Sequence, residues 1–307
     1  MKILVVGAGA VGGYFGGRLL EKGEDVSFLV REKRRQQLAE QGLIVDSING
    51  SFTLRPNTII AGESAEPFDV ILVSTKAYHL NGVLNSIEAY VGNSTMILPL
   101  LNGIAHVEVL QKRFGKDRII GGLCFVESTL DENGAVLQKS PSHDLVFGEL
   151  SGEPTERILK LEQAFAGTKA NFRRSNNIVQ EMWHKYIFIT AMSGVTSLMR
   201  APIGPIRETV GGQDILSRFI AEIVEVTRSM GAPVADDIEI TTLDRINQLG
   251  YEMKSSMQRD MEKGIPTEAD HLQGYLYQAA MQKGMDVPIL QFIYGNLKVY
   301  ESAREKE

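Results

Sequence analysis

Three glycines near the start of the chain have the spacing of a phosphate-binding loop. Gly7, Gly9 and Gly12 come directly after an apolar run and at the start of a predicted helix. In such a loop the first glycine permits a tight turn, the second lets the backbone approach a pyrophosphate, and the third lets helix and strand pack closely. The helix N-terminus at Ala10 adds free N–H groups and the positive end of the helix dipole. Gly7, Gly9, Ala10 and Gly12 are therefore predicted to bind a dinucleotide.

The residues after the second predicted strand bear on which dinucleotide binds. Proteins that bind NAD usually carry an acid there for the ribose hydroxyls, whereas the 2′-phosphate of NADP calls for a cation. The chain has Arg31 at this place and Lys76 after the next strand of the sheet, and both favour NADPH. The acidic residue Glu32 directly follows Arg31, so NAD remains an alternative cofactor. The alternative for both cations is a solvated strand end.

A lysine in a mostly apolar helix is the second candidate for chemistry. Residues 180–198 read QEMWHKYIFITAMSGVTSL, with Lys185 in the middle. When a hydride reaches a carbonyl carbon, negative charge develops on the oxygen, and a nearby lysine both stabilises it and donates a proton. Arginine holds its proton too tightly for this role. The alternative is a surface lysine whose stem covers apolar area.

Two kinds of pattern divide the chain. Apolar strands alternate with helices in the first part, which predicts βαβ units and a mostly parallel Rossmann-type sheet; the strands are 2–6, 25–30, 69–74 and 95–100, and the helices 10–22, 32–41 and 79–91. A hairpin is predicted at 43–54, and strand-like runs follow at 119–127, 135–138 and 145–148. The last part has helical patterns at 176–199, 212–230, 238–258, 267–283 and 288–302. The predicted class is α/β, with an NADP-binding domain over 1–172 and an all-α substrate domain over 173–307.

Composition narrows the function classes. The formal net charge of −6 argues against a nucleic-acid partner. One cysteine fits a reducing compartment, and the five histidines show no metal-ligand spacing, so no metal is expected. The N-terminal apolar run is too short for a secretion signal and no segment approaches a membrane span. These features predict a cytoplasmic protein without a membrane partner.

Several motifs together resemble the ketopantoate reductase (2-dehydropantoate 2-reductase) family: VGAGAVGGYFGGRL, STKAY, LPLLNGIAH, MWHKYIF and SSMQRDMEKGIPTEADHLQGY. The resemblance implies NADPH in a cleft between a Rossmann-type domain and a helical domain. It also implies reduction of a 2-oxo acid, with 2-dehydropantoate, an intermediate of pantothenate and coenzyme A biosynthesis, as the leading substrate. By matching motif, Lys185 would be the general acid and Glu268 would complete the catalytic site. Asn102 would contact both nicotinamide and substrate, and Ser256 would bind the substrate carboxylate.

Each of these residues also has a structural alternative. Glu268 could belong to a helix start, because Thr267-x-x-Asp270 resembles a capping box. Ser256 could bond to a carbonyl of its own helix, and Asn102 precedes a glycine and could serve only a turn.

Three positions depart from the family pattern. Residues 189 and 193 share a helix face with Lys185, and asparagines are expected there and at 203, where this chain has Ile189, Ser193 and Ile203. An apolar pocket recognises mainly shape. Ile189 and Ile203 therefore suggest a more apolar 2-oxo acid or relaxed selectivity, and Ile189 and Ser193 are candidate substrate contacts. A non-catalytic NADP redox sensor is the alternative of another class, and a homodimer is an open alternative to a monomer.

Overall fold

Apolar strands and intervening helices at the start of the chain build a five-stranded parallel sheet. In the computed structural model its strands are β1 (Lys2–Val6), β2 (Asp25–Leu29), β5 (Asn57–Ile59), β6 (Phe68–Val73) and β7 (Val91–Pro99). Their spatial order is β5-β2-β1-β6-β7. Its helices are α1 (Ala10–Lys22), α2 (Glu32–Gln41), α3 (Leu80–Ile87) and α4 (Ala105–Phe114). The predicted Rossmann-type architecture is confirmed, with α1 and α2 at their predicted bounds.

Both faces of this sheet are buried. Along β1, Ile3 and Val5 belong to one hydrophobic cluster while Leu4 and Val6 belong to another. Because side chains alternate between the two faces of a strand, a strand covered on both faces must be apolar at every position. This is why the run ILVV is continuous rather than alternating.

A second sheet uses the predicted hairpin. Its strands are β3 (Leu43–Ser47), β4 (Phe52–Leu54), β8 (Gly121–Leu130), β9 (Val136–Gly148) and β10 (Asn171–Arg174). β3 pairs antiparallel with β4, as predicted, and also parallel with β9, so the hairpin starts a sheet of its own. The runs predicted at 135–138 and 145–148 are the two ends of β9. Four elements of the first part were not predicted: β5, β10, helix α4 and helix α5 (Glu156–Phe165). β5 and β10 are short and largely polar.

The last part of the chain is helical, as predicted. It contains α6 (Ile178–Met199), α7 (Ile203–Glu208), α8 (Gly212–Ser229), α9 (Ile238–Asn247), α10 (Ser256–Glu262), α11 (Gln273–Gln282) and α12 (Pro288–Arg304). The helix predicted over 238–258 is wrong in extent: α9 ends at Asn247, and Ser255 caps a new helix by accepting a hydrogen bond from Gln258 N–H. The helix predicted from 267 begins only at Gln273, and α7 was not predicted.

The structure describes residues 1–306, which form two compact units. The first consists of Met1–Leu101 and His106–Val179, and the second of Asn102–Ala105 and the chain from Gln180 onward. The predicted boundary between 172 and 173 falls inside β10, which pairs with β9 of the first unit. Across the described residues, no helix has both the length and the apolar character to span a membrane.

Candidate active site

The glycine-rich loop joins β1 to α1 and has the backbone geometry of a phosphate cradle. Gly7 has φ +92°, a left-handed conformation that favours glycine, and its N–H donates to the Leu29 carbonyl at 3.0 Å. A Cβ on Gly12 would lie 2.2 Å from both the Gly7 carbonyl oxygen and Ser74 Oγ. Only glycine therefore lets α1 pack this closely on the end of β1.

Gly9 differs from these two glycines because space lies in front of it. A Cβ there would meet no atom within 4 Å, and Gly9 is the N-cap of α1 without a side-chain cap. Ala10 begins the helix, and its first turn carries no acid. Free amides, a positive dipole end and open space fit the pyrophosphate of a dinucleotide.

The two predicted phosphate-binding cations lie at the same edge of the parallel sheet. Arg31 is the exposed N-cap of α2, two residues after β2, and Lys76 precedes a 3-10 turn (Ala77–His79), three residues after β6. β2 and β6 pair with opposite sides of β1. The topology thus brings both residues to the edge that carries the glycine-rich loop.

Arg34 is a residue at this loop that the sequence reasoning missed. Its Nε donates to the Ala8 carbonyl at 3.2 Å, between Gly7 and Gly9, and burial lowers the pKa of its guanidinium. Its Nη1 donates to Gln37, which in turn donates to the Asn133 carbonyl. The sequence feature that could have identified Arg34 is its position, one helical turn after Arg31 and so on the same side of α2.

In the second unit, the predicted polar residues are buried in an apolar helical domain. Lys185, in the second turn of α6, is 7% exposed, and Glu268 is 4% exposed. Asn102 Nδ2 donates to Glu268 Oε2 at 3.3 Å, although the two residues are 166 positions apart. Gly103 has φ +91°, so Asn102 also stands in the turn that its sequence predicts. The fold thus brings Asn102 and Glu268 together.

The turn that carries Glu268 is hydrogen-bonded to α6. Tyr186 Oη donates to the Leu272 carbonyl at 2.7 Å. Gln273, fully buried, donates through Nε2 to the Thr190 carbonyl at 3.0 Å and to Ser193 Oγ at 2.8 Å. Neither Tyr186 nor Gln273 was singled out from the sequence, because their bonds join residues 80 to 86 positions apart.

The capping-box alternative for Glu268 is wrong. Helix α11 starts at Gln273, five residues after Glu268. Thr267 donates through both its N–H and its hydroxyl to Glu301 Oε1, at 2.8 and 2.7 Å. Asp270 accepts from Tyr294. Glu268 therefore lies in a turn held from outside and not in the first turn of a helix.

The three positions with unexpected residues have different surroundings. Ser193 is 4% exposed and accepts the hydrogen bond from Gln273. Ile203 is fully buried in the helical core. Ile189 packs against that core and stays partly exposed. Of the three, Ile189 alone presents appreciable surface.

Ser256 is the exposed first residue of α10, and its neighbour Ser255 holds this helix in place. Ser255 Oγ accepts from Gln258 N–H at 3.1 Å and lies 2.7 Å from Thr196 Oγ1 of α6. Ser255 was missed as a tie to α6, although its position as a serine N-cap is a readable signal.

Comparison with known proteins assigns both units to one family. The family model described as ketopantoate reductase PanE/ApbA matches residues 3–152, and its C-terminal counterpart matches residues 177–301. The chain is 45% identical over 304 residues to the uncharacterized oxidoreductase YkpB of Bacillus subtilis, covering 99% of this chain and 100% of that protein.

Solved structures agree with this family. A crystal structure of 2-dehydropantoate 2-reductase from Geobacter metallireducens is 30% identical with a TM-score of 0.88, covering 97% of this chain and 99% of that one. A ternary structure of D-mandelate dehydrogenase with NADH and anilino(oxo)acetate has the same TM-score at 21% identity, covering 99% of this chain and 100% of that one. At that identity the second likeness speaks for the fold alone.

Proposed function

Because the chain belongs to the ketopantoate reductase family, we propose that it reduces a 2-oxo acid to a 2-hydroxy acid with NADPH, and that 2-dehydropantoate is its first candidate substrate. The family consists of oxidoreductases that act on CH–OH groups and reduce 2-oxo acids. The observation that carries the proposal is a buried lysine in the same unit as the hydrogen-bonded pair Asn102–Glu268.

Lys185 is the proposed proton donor. NADPH, when bound, supplies the hydride to the keto carbon. The Lys185 ammonium group stabilises the charge that develops on the keto oxygen and passes a proton from Nζ to it. Its burial excludes water and strengthens this electrostatic effect.

The other residues are proposed to orient the substrate. Glu268 accepts a hydrogen bond from Asn102, which fixes the plane of the amide and directs its remaining groups. Ser256, exposed at the start of α10, offers a hydroxyl donor for the substrate carboxylate. In the first unit, Gly7, Gly9, Ala10 and Gly12 are proposed to hold the pyrophosphate.

The preference for NADPH is proposed from charge. Arg31 and Lys76 stand at the sheet edge where an adenosine ribose is bound in this class of fold. The guanidinium of Arg31 matches a phosphate through paired donors. We also propose a place in pantothenate biosynthesis in the cytoplasm, which fits Cys124, the single cysteine of the chain, being buried and outside any disulfide. A homodimer stays an open prediction.

A more apolar 2-oxo acid is the second candidate substrate. It is favoured by Ser193, whose hydroxyl already accepts a hydrogen bond from Gln273, and by Ile203, whose side chain has no polar group. The remaining alternative, an NADP sensor, would need no proton donor, so Lys185 and Glu268 count against it.

The deciding experiment is a panel of 2-oxo acids assayed by NADPH oxidation. The panel includes 2-dehydropantoate and trimethylpyruvate, which differ only by the terminal hydroxyl. Turnover of 2-dehydropantoate supports the proposal, and a much higher kcat/KM for trimethylpyruvate would move the assignment to the apolar candidate. No turnover with any acid, together with intact NADPH binding, would leave the sensor.

Two variants of Lys185 test the mechanism. Lys185→Ala should lower kcat by at least about 10²-fold with NADPH affinity nearly unchanged. Lys185→Arg keeps the positive charge but not a transferable proton, and we expect kcat to stay low. A wild-type rate in either variant would remove Lys185 from the reaction.

A further inference from the structure

A third basic side chain lies at the sheet edge that carries Arg31 and Lys76. His79 ends the 3-10 turn that follows Lys76, and its N–H donates to the Lys76 carbonyl at 3.0 Å. The imidazole is exposed, and its ring contacts that of Tyr78 edge-on, with 4.6 Å between the centroids. His79 is also the N-cap of α3.

The topology lets these groups converge on one anion. β2 and β6 flank β1, so the strands that lead to Arg31 and to His79 are about 10 Å apart at this edge. Arg31 and Lys76 have long side chains, and the charge of Arg31 reaches the His79 imidazole from the other side of β1. α2 begins here without a side-chain cap, so its first amides and its dipole add to the positive potential, whereas the first amide of α3, on Leu80, is already bonded to the Ala77 carbonyl.

This positive potential acts on the imidazole itself. Burial and the charge of Arg31 lower the pKa of His79, in that order. Arg31 is the charged group that acts on the imidazole, and the Tyr78 ring contacts it; along the chain, Glu32 adjoins Arg31 and Lys76 precedes the turn that His79 ends. In the protein without a phosphate, His79 is therefore mostly neutral at neutral pH.

We propose that His79 is a third contact of the 2′-phosphate of NADPH and takes up a proton from solvent when this phosphate binds. The inference rests on the NADPH preference proposed above. A phosphate dianion favours the imidazolium form, so the positive charge appears only when there is a negative charge to meet. His79 would thereby help to distinguish NADPH from NADH.

The linkage has a definite sign. The phosphate raises the pKa of His79 in the complex above its value in the free protein, so NADPH affinity falls as pH rises through this interval. Each unit of that rise amounts to about tenfold in affinity. The phosphate's own second ionisation, near pH 6, acts in the opposite sense and is largely complete by about pH 7. The decrease in NADPH affinity above about pH 7 therefore measures the loss of the proton from His79.

The test is direct binding with purified full-length protein, independent of turnover. The dissociation constants of NADPH and NADH are measured by titration calorimetry between about pH 6 and 9 at constant ionic strength, for wild type, His79→Gln and His79→Lys. Repeating the NADPH titration in buffers of different ionisation enthalpy measures proton uptake.

Wild type should lose about tenfold in NADPH affinity above pH 7 and take up a fraction of a proton. His79→Gln should bind NADPH weakly without this slope, and His79→Lys, with a permanent charge, should bind tightly at every pH. The dissociation constant of NADH should change neither with pH nor with the residue at position 79.

A His79→Gln variant with the wild-type slope and proton uptake would overturn the inference, and so would a slope of the same size for NADH. If NADPH is still strongly preferred in those cases, the proposed cofactor preference survives and only the role of His79 fails. If wild type binds NADPH and NADH equally at every pH, the proposed preference fails with it.

Discussion

Two alanine substitutions in the glycine-rich loop should separate folding from cofactor binding. A Cβ at residue 12 would lie 2.2 Å from Ser74 Oγ and from the backbone carbonyl of Gly7, whereas a Cβ at residue 9 would meet nothing within 4 Å. Gly12→Ala therefore forces α1 away from β1. Gly9→Ala fits the folded protein and would interfere only with a group that approaches the loop.

The expected magnitudes differ accordingly. Overpacking against rigid backbone costs about 2–3 kcal/mol, which lowers Tm by about 4–12 °C for a unit of this size. For Gly9→Ala, the poorer N-cap and the reduced entropy of the unfolded chain are each worth a few tenths to about 1 kcal/mol and have opposite signs. Its Tm should stay within about 2 °C. Losing a charged hydrogen bond to phosphate costs about 1.5–3 kcal/mol, or about 10- to 100-fold in the NADPH dissociation constant.

Thermal unfolding and NADPH titration of both variants measure these effects. The expected pattern is a stable Gly9→Ala protein that binds NADPH poorly and a destabilised Gly12→Ala protein. If Gly9→Ala binds NADPH like wild type, the pyrophosphate does not approach the backbone at this residue. If Gly9→Ala loses as much Tm as Gly12→Ala, the open space at residue 9 is not real.

Three further predictions concern the helical unit. Tyr186→Phe removes the hydrogen bond to the turn before α11 and should lower the free energy of unfolding by about 0.5–1.5 kcal/mol in urea titrations; no loss would mean that the bond contributes nothing. Ser193→Ala should change the kcat/KM ratio of 2-dehydropantoate to trimethylpyruvate by less than about threefold, because Gln273 already holds the hydroxyl; a larger change would show that substrate uses it. His184 Nε2 accepts the Ala235 N–H and burial lowers its pKa, so the folded state binds fewer protons than the unfolded state. Stability should therefore fall as pH drops through about 6.5 towards the folded-state pKa, and His184→Gln should lessen this slope.

Local patterns predicted much of the first unit. Helices α1 and α2 and strand β1 have the expected bounds because glycines directly follow each of them and the signals of the residues between act over short range. The sequence did not predict β5 and β10. Segments of three or four mostly polar residues become strands only when a partner strand offers hydrogen bonds. The partner in each case is distant in sequence.

The extent of the helices in the second unit was less predictable. Residues 238–258 were predicted as one helix, yet the chain leaves the helix after Asn247, shortly before Gly250, and restarts at Ser256 after the N-cap Ser255. The restart is tied to α6 through Ser255 and Thr196, which are 59 residues apart. Likewise Thr267, which resembles a helix cap, binds Glu301 of α12 instead. At Thr267 a tertiary partner therefore outweighed the local signal, whereas at Ser255 the local N-cap and the tertiary partner act together.

The sequence alone determined the chemistry on offer: a phosphate-binding loop, two cations after neighbouring strands, and a lysine in an apolar helix. These depend on residue type and short spacing, since steric limits on glycine and strand periodicity act within a few residues. Only the tertiary structure decided which polar groups meet. Asn102 donates a hydrogen bond to Glu268, 166 positions away, and the Ser193 hydroxyl accepts one from Gln273, 80 positions away. A buried polar group must find a partner wherever packing brings one, and packing depends on the whole fold.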